Sequence, residues 1–377
     1  MSLQELNIRL KDYFIELGFQ YVELPLVHDS DIFYETSGEE IRSQMYSFID
    51  GSGKEKCLRP DMTIPTCQSF IKSDDKINEA NLCYSGPVFR STNGINDASI
   101  ELNQSGVEII FTEKKLKTIY EKDIYTLKTA VKILEKLNIN EYQIKIGSLN
   151  LFNSFISYLD LPIRWKQRIV RHFFRRAYFD SLLNRLGQGV GYDELKKDEI
   201  INERLGLNVN SSANLVDLIN SNSNSGSGSR TVEEIVSRFQ EKSENIVSES
   251  NGKQMVNLIK SFLGLNASLD TFPNILREFV SDQKLDFFKK EIDGMEEFKN
   301  AVSYEMDISK FNFNNDFGHS IEFYDGVMFE IYDQSGNIKL ITGGRYDKLL
   351  NILGSRNNLS AIGFATNNNN LSKILSS

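Results

Sequence analysis

The stretch Asn81–Phe111, NLCYSGPVFRSTNGINDASIELNQSGVEIIF, constrains this chain more than any other. Leu82, Tyr84, Val88 and Phe89 precede a run of Ser, Thr, Asn, Gly and Asp, after which Leu102, Val107, Ile109 and Ile110 restore strand composition. The pattern predicts two strands joined by a polar loop. Successive side chains of a strand alternate between faces, so Gln104 and Glu108 share one face, and Arg90 at the end of the first strand is in position to join them. Gly106 lies between Gln104 and Glu108. A regular strand turns all three side chains to one pocket, whereas a bulge at the glycine breaks that parity.

At 377 residues the chain has room for two or three domains. Its 40% hydrophobic and 25% charged residues are ordinary for a soluble globular protein. A formal net charge of -9 works against broad contact with a phosphate backbone, so no nucleic-acid partner is expected. Cys57, Cys67 and Cys83 form no CxxC pair and read as free, buried thiols of a reducing cytoplasm. His28, His172 and His319 lie in no metal-ligand pattern, so neither a metal nor a cofactor is expected. Leu3, Leu6, Leu10, Phe14 and Leu17 fall at helical spacing, which makes the N-terminus an amphipathic helix ending at Gly18 and not a targeting segment. No run is long and apolar enough to span a membrane.

FQYVELPLV reads as a strand ending at Pro25, and MYSFID with EKCLRP as a hairpin around GSGK. Pro60 and Pro65 bracket the start of a short helix, with Asp61 and Thr63 near its N-terminal turn. Lys122–Leu137 is a clear helix, followed by the strand YQIKIGS and the helix LFNSFISYL. Helical periods dominate from Pro162 to Met306, broken by the flexible NSNSNSGSGSR at Asn220–Arg230. Strand character returns in HSIEFYDGVMFEIYD, turns at Ser335–Asn337 and continues in IKLITGG; a helix starts at Asp347, AIGFAT is a buried strand, and Asn367 opens a last helix.

Four of these pieces, taken in order, carry a resemblance. YSGPVFR with NQSGVEII, together with LRPDMT, GGRYDKLL and AIGFA, resembles the histidyl branch of the class II aminoacyl-tRNA synthetases. The resemblance implies an α+β fold, a class II synthetase-like antiparallel sheet flanked by helices. Residues 1–161 and 307–377 would form the core, with a mainly helical insertion at 162–306. No anticodon-binding domain of about a hundred residues is expected after the last helix. It also implies that Asp61 and Thr63 hold the ammonium of a free histidine. Arg90 would meet its carboxylate, Glu108 or Gln104 its imidazole, and Tyr324 would complete the pocket.

Adenylate formation needs positive groups aimed at the transferring phosphate. The synthetase family uses arginines in motif 2, in motif 3 and in an RGLDYY-like run, and this chain keeps only the first, Arg90. The motif 3 position is Asn370, the third falls at Ser320 or Ile321, and the acidic position after the motif 2 arginine is Thr92. Each lost contact costs roughly 3 kcal/mol, about a hundredfold in rate. No catalytic residue is therefore assigned. A synthetase-like body with eroded arginines, together with GSLNLFNSFISYLDLP, resembles the regulatory-subunit family of ATP phosphoribosyltransferase. That resemblance implies a homodimer as building block of a hetero-oligomer with the short-form catalytic subunit, activated by this chain and inhibited by histidine. The alternatives are an active histidyl-tRNA synthetase-like enzyme or amino-acid ligase, and a scaffold without a ligand.

Plain structural roles compete at each position. Arg90 also fits a salt-bridged strand end, Glu108 an exposed residue of an alternating strand, Asp61 a helix start, and Tyr324 a core aromatic. RHFFRR at Arg171–Arg176 fits packing with a solvated basic face better than RNA stacking. Gly343 and Gly344 fit a tight turn before a helix.

Overall fold

The computed structural model describes residues 1–73, 79–91, 100–112, 116, 120–189, 247–285, 288–317 and 323–376. The chain divides into two compact units, Met1–Ser154 with Leu263–Ser377, and Phe155–Phe262. Residues 263–306, read from sequence as part of the helical insertion, thus lie in the unit that holds the sheet.

The described strands of the first unit run in chain order as β1 (Gln20–Tyr21), β2 (Val27–Asp29), β3 (Ser47–Ile49), β4 (Glu55–Leu58), β5 (Ala80–Phe89), β6 (Glu101–Phe111), β7 (Tyr142–Ser148), β8 (Asn266–Ser268), β9 (Phe311–Asn314), β10 (Val327–Asp333), β11 (Lys339–Arg345) and β12 (Ser360–Asn367). One sheet has the order β1-β5-β6-β12-β11-β10-β7-β9-β8, and β2-β4-β3 form a small second one. The central strands of the large sheet are antiparallel as expected; parallel pairings of β1 with β5 and of β7 with β9 extend it on either side.

The β5–β6 hairpin pairs in one register from Ala80 opposite Ile110 to Phe89 opposite Glu101, so Gly106 is not a bulge. Its role is close approach. A Cβ there would lie 2.3 Å from the Phe364 carbonyl and 2.5 Å from the Tyr84 hydroxyl. The only register shift between β10 and β11 falls between Ile331 and Tyr332.

The strand expected over FQYVELPLV is shorter than its hydrophobic run. Pro25 has no N–H to offer a ladder, and the Leu24 and Pro25 carbonyls accept from Arg59 Nη1 at 2.7 and 3.2 Å instead. Buried Arg59 also donates through Nε to the Pro87 carbonyl at 2.7 Å, which ties this segment to β5. Gly343 and Gly344 sit inside β11 and not in a turn. A Cβ on Gly343 would meet the Phe329 ring at 2.4 Å, and one on Gly344 the Tyr324 ring at 3.0 Å.

The Leu3–Glu16 helix opens with a capping box, Glu5 N donating to Ser2 Oγ at 3.2 Å and Ser2 N to Glu5 Oε2 at 2.9 Å. It buries Leu6, Leu10 and Phe14 and ends before Gly18, whose φ of +89° suits glycine. In the second unit, Trp165, Ile169, Phe173, Phe179, Leu182 and Leu186 are buried, and Phe155 stacks on Phe262 with ring centroids 3.9 Å apart. Phe173 of the RHFFRR run is therefore core. Gly252 lets two helices touch, since a Cβ there would lie 2.0 Å from the Leu186 carbonyl.

Candidate functional site

Cross-strand register builds the floor of the site. Lys145, Glu330, Thr342, Ala365, Gly106 and Tyr84 stand opposite one another across β7, β10, β11, β12, β6 and β5, so their side chains share one face. Two residues along, Glu108 stands opposite Gly363, which stands opposite Gly344. The missing side chains make room: a Cβ on Gly363 would lie 1.8 Å from Glu108 Oε2. Above this floor opens a cavity of about 250 Å³.

Five of the six expected site residues, Asp61, Thr63, Arg90, Gln104 and Tyr324, line that cavity. Asp61 is 6% exposed and serves two ends at once. Its Oδ1 accepts from the Ile64 amide at 3.1 Å, a helix cap, while its buried Oδ2 has no hydrogen-bond partner. Burial pushes the Asp61 carboxyl above the usual range, opposed by the Ile64 amide and the positive charge of Arg90. An acceptor of this kind at a cavity wall suits a ligand cation. Arg90 is half-buried and is anchored through Nε to the Pro60 carbonyl at 2.7 Å. The strand-end arginine is thus fixed to the LRPDMT segment that carries Asp61.

Glu108, the sixth, lies beneath the lining residues. It is 1% exposed, so it is not the exposed member of an alternating strand. Tyr84 donates to its Oε1 at 3.0 Å and Tyr346 to its Oε2. Thr63 Oγ1 is 3.5 Å from the Tyr84 hydroxyl, which connects the carboxyl to the cavity wall. Burial raises the Glu108 carboxyl to about 7, assisted by the charge of Asp61 and opposed by the hydroxyls of Tyr346, Thr63 and Tyr84.

Tyr324 combines core and lining roles. It is buried, its ring 5.1 Å from that of Phe323 and 6.3 Å from that of Tyr346. Sequence reasoning passed over Tyr84, Tyr346 and Lys339. The two tyrosines lie inside quoted motifs, YSGPVFR and GGRYDKLL, and for Tyr84 the glycine opposite it, Gly106, was the available signal. Lys339 opens β11 and lines the cavity, its ammonium paired with Glu330.

The NNNN run at Asn367–Asn370 is spent on structure. Asn367 Oδ1 accepts from Asn370 N at 3.1 Å at the start of the Asn368–Ser376 helix, and Asn370 Nδ2 donates to the Lys339 carbonyl at 2.9 Å. Asn368 is fully buried and donates to Asn7 Oδ1 and Ser105 Oγ, each at 2.7 Å, while accepting from Thr366. Asn369 Oδ1 accepts from the Asn103 amide at 2.7 Å. The motif 3 position therefore holds a neutral amide tied to the backbone. Thr92, Ser320 and Ile321 lie outside the described residues. Arg345, in GGRYDKLL, is buried against Asp123, its Nε donating to Oδ1 at 3.2 Å. Among the described residues, no group of three or more His, Cys, Asp or Glu is placed to hold a metal ion, and no helix is long and apolar enough to cross a membrane.

A family model described as Histidyl-tRNA synthetase matches residues 2–196 and 203–371. The chain is similar to the ATP phosphoribosyltransferase regulatory subunit of Brucella canis, 26% identical over 351 residues that cover 92% of this chain and 90% of the relative. The same named subunit of Allorhizobium ampelinum is 26% identical over 360 residues, 94% of each chain. An ATP phosphoribosyltransferase regulatory subunit/histidyl-tRNA synthetase from Bacillus halodurans shares the fold with a TM-score of 0.66 at 17% identity, covering 100% of this chain and 79% of that one. The sheet flanked by helices is thus the class II synthetase-like architecture that the four motifs imply. With a family model that matches residues 2–196 and 203–371 and takes in all four motifs, the chain belongs to the histidyl-tRNA synthetase family.

Proposed function

We propose that this chain is a non-catalytic regulatory subunit of ATP phosphoribosyltransferase, which activates the short-form catalytic subunit and senses histidine for feedback inhibition. The names of its relatives support the regulatory role. The observation that carries histidine sensing is the pairing of Asp61 Oδ2, buried and without a partner, with Arg90 in one cavity of about 250 Å³. An acceptor for an ammonium and a cation for a carboxylate match a free amino acid. The volume lies below the roughly 300–1,000 Å³ of pockets for drug-sized ligands. In this reading Thr63 joins Asp61 at the ammonium and Gln104 meets the imidazole. Tyr324 packs on the ring, and Glu108 holds the floor. Asn370, neutral and bonded to the Lys339 carbonyl, supports a binding role over adenylate chemistry.

The assembly is a homodimer of this chain within a cytoplasmic hetero-oligomer. The test is the rate at which the short catalytic subunit joins ATP to phosphoribosyl pyrophosphate, alone, with this chain, and with histidine added. A rise on mixing and a fall with histidine are expected. No rise on mixing, or histidine-dependent exchange of pyrophosphate into ATP by this chain alone, would overturn the reading.

A further inference from the structure

We propose that Lys339 is a specificity-determining residue of the cavity, selecting ligands that carry a carboxylate beside their ammonium over amines that lack one. The inference rests on the amino-acid-binding reading of the same cavity and adds a residue to it. Lys339 reaches the site by register. Glu330 stands opposite Thr342, and Thr342 opposite Ala365; Thr342 and Ala365 line the cavity. Glu330 therefore faces the same side, and it is Glu330 that pairs with the Lys339 ammonium.

The pair is built rather than incidental. Glu330 is buried, and its second oxygen accepts from the Tyr332 hydroxyl at 2.6 Å. The Lys339 carbonyl accepts from Asn370 Nδ2 at 2.9 Å, and its ammonium lies 5.9 Å from the centre of the Tyr332 ring. An ordinary surface lysine has rotamers to spare, but this one is held at both ends. Strands spaced about 4.8 Å apart put β11 about 10 Å from β6, which carries Gln104. The cavity thus carries a cation on β11 in addition to Arg90 at the end of β5.

Electrostatics gives the cation its consequence. Asp61 alone would accept any amine of the right size, because an unpartnered carboxylate does not read what lies beyond the ammonium. Among the described lining residues Arg90 and Lys339 are cations and Asp61 is an acid; the Lys339 ammonium, its side chain 38% exposed, gives one of its three N–H donors to Glu330 and keeps others for a ligand that brings a carboxylate. Removing one cation from a shared charge-assisted contact weakens the carboxylate-bearing ligand alone. The pair of probes is histidine and histamine, which share the imidazole and the ammonium and differ in the carboxylate.

The test is calorimetric titration of the intact chain with both probes. The unaltered chain is expected to bind histidine at least about tenfold more tightly than histamine. Lys339→Met takes from buried Glu330 the cation it pairs with, so the variant to compare is Lys339→Met with Glu330→Gln, alongside Lys339→Arg. The double variant is expected to lose about tenfold in histidine affinity with histamine unchanged, and Lys339→Arg to restore most of the preference. Equal weakening of both probes, or no change in either, would overturn the role of Lys339 while leaving the histidine site standing. No heat with histidine on the unaltered chain would overturn the reading beneath it as well.

Discussion

Tyr84 on β5 donates its hydroxyl to Glu108 Oε1 on β6 at 3.0 Å, in an interior where the carboxyl is 1% exposed. The bond opposes the desolvation of the charged form without cancelling it, and the carboxyl stays raised from 4.5 to about 7. A raised acid binds its proton more firmly folded than unfolded, so its share of stability is complete below pH 4.5 and is lost as pH climbs to about 7. The loss is on the order of 3 kcal/mol. Urea unfolding from pH 4.5 to 8 checks it. The stability of the unaltered chain relative to Glu108→Gln is expected to fall across that window and to level off above pH 7.

Asp61 carries a cap on one oxygen and a ligand acceptor on the other, and a substitution can separate them. Serine caps a helix nearly as well as aspartate, so Asp61→Ser is expected to keep ligand-free stability within about 1 kcal/mol. It should abolish the stabilisation by histidine, about 2.7 kcal/mol at a hundred times the dissociation constant in the unaltered chain. Thermal unfolding with and without histidine reads both quantities.

Gly363→Ala puts a methyl group where Glu108 Oε2 lies, 1.8 Å from the ideal Cβ, and 2.4 Å from the Val107 carbonyl. A backbone carbonyl cannot step aside, so a loss of roughly 1–3 kcal/mol is expected. Gly51→Ala, with nothing within 4 Å of its Cβ, is the control and is expected to stay within about 0.5 kcal/mol. Denaturant midpoints of the two variants make the comparison.

Asn368 joins Asn7 on the first helix to Ser105 on β6 by its amide. Asn368→Leu takes the donor from half-buried Asn7 Oδ1 and from buried Ser105 Oγ, which keeps its bond with Ser85 Oγ at 2.8 Å, and is expected to cost about 1–3 kcal/mol. A double-mutant cycle with Asn7→Leu should show a coupling of about 0.5–3 kcal/mol, measured by urea unfolding.

Much of this molecule was legible in the residues. The hairpin, the Glu121–Lys136 helix, the β7 strand and the start of the Thr63–Ser73 helix follow from period, turn chemistry and proline placement. Gathering Asp61, Thr63, Arg90, Gln104 and Tyr324 onto one cavity followed from motif order, since alternation in β6 alone placed only Gln104 and Glu108. The misses share a cause, because each depends on partners remote in sequence. Gly343 and Gly344 look like a turn until Phe329 and Tyr324 are seen packed over them. Leu24 and Pro25 look like strand until Arg59, 35 residues from Leu24, takes their carbonyls. Tyr346 and Glu108 are 238 residues apart, and Lys339 reaches the cavity through Glu330.

The sheet order carries a consequence for how the chain is made. β6 is complete at Phe111, yet the strand that covers its other edge, β12, starts at Ser360, 249 residues later by subtraction. At the roughly 5–20 residues per second of synthesis, β6 waits about 12–50 s for its permanent neighbour. Throughout that interval it offers an unpaired edge with Val107, Ile109 and Ile110, all buried in the finished protein. The ribosome thus delivers the centre of this sheet last, and the edge of the nascent hairpin stays open to provisional pairing until β12 emerges.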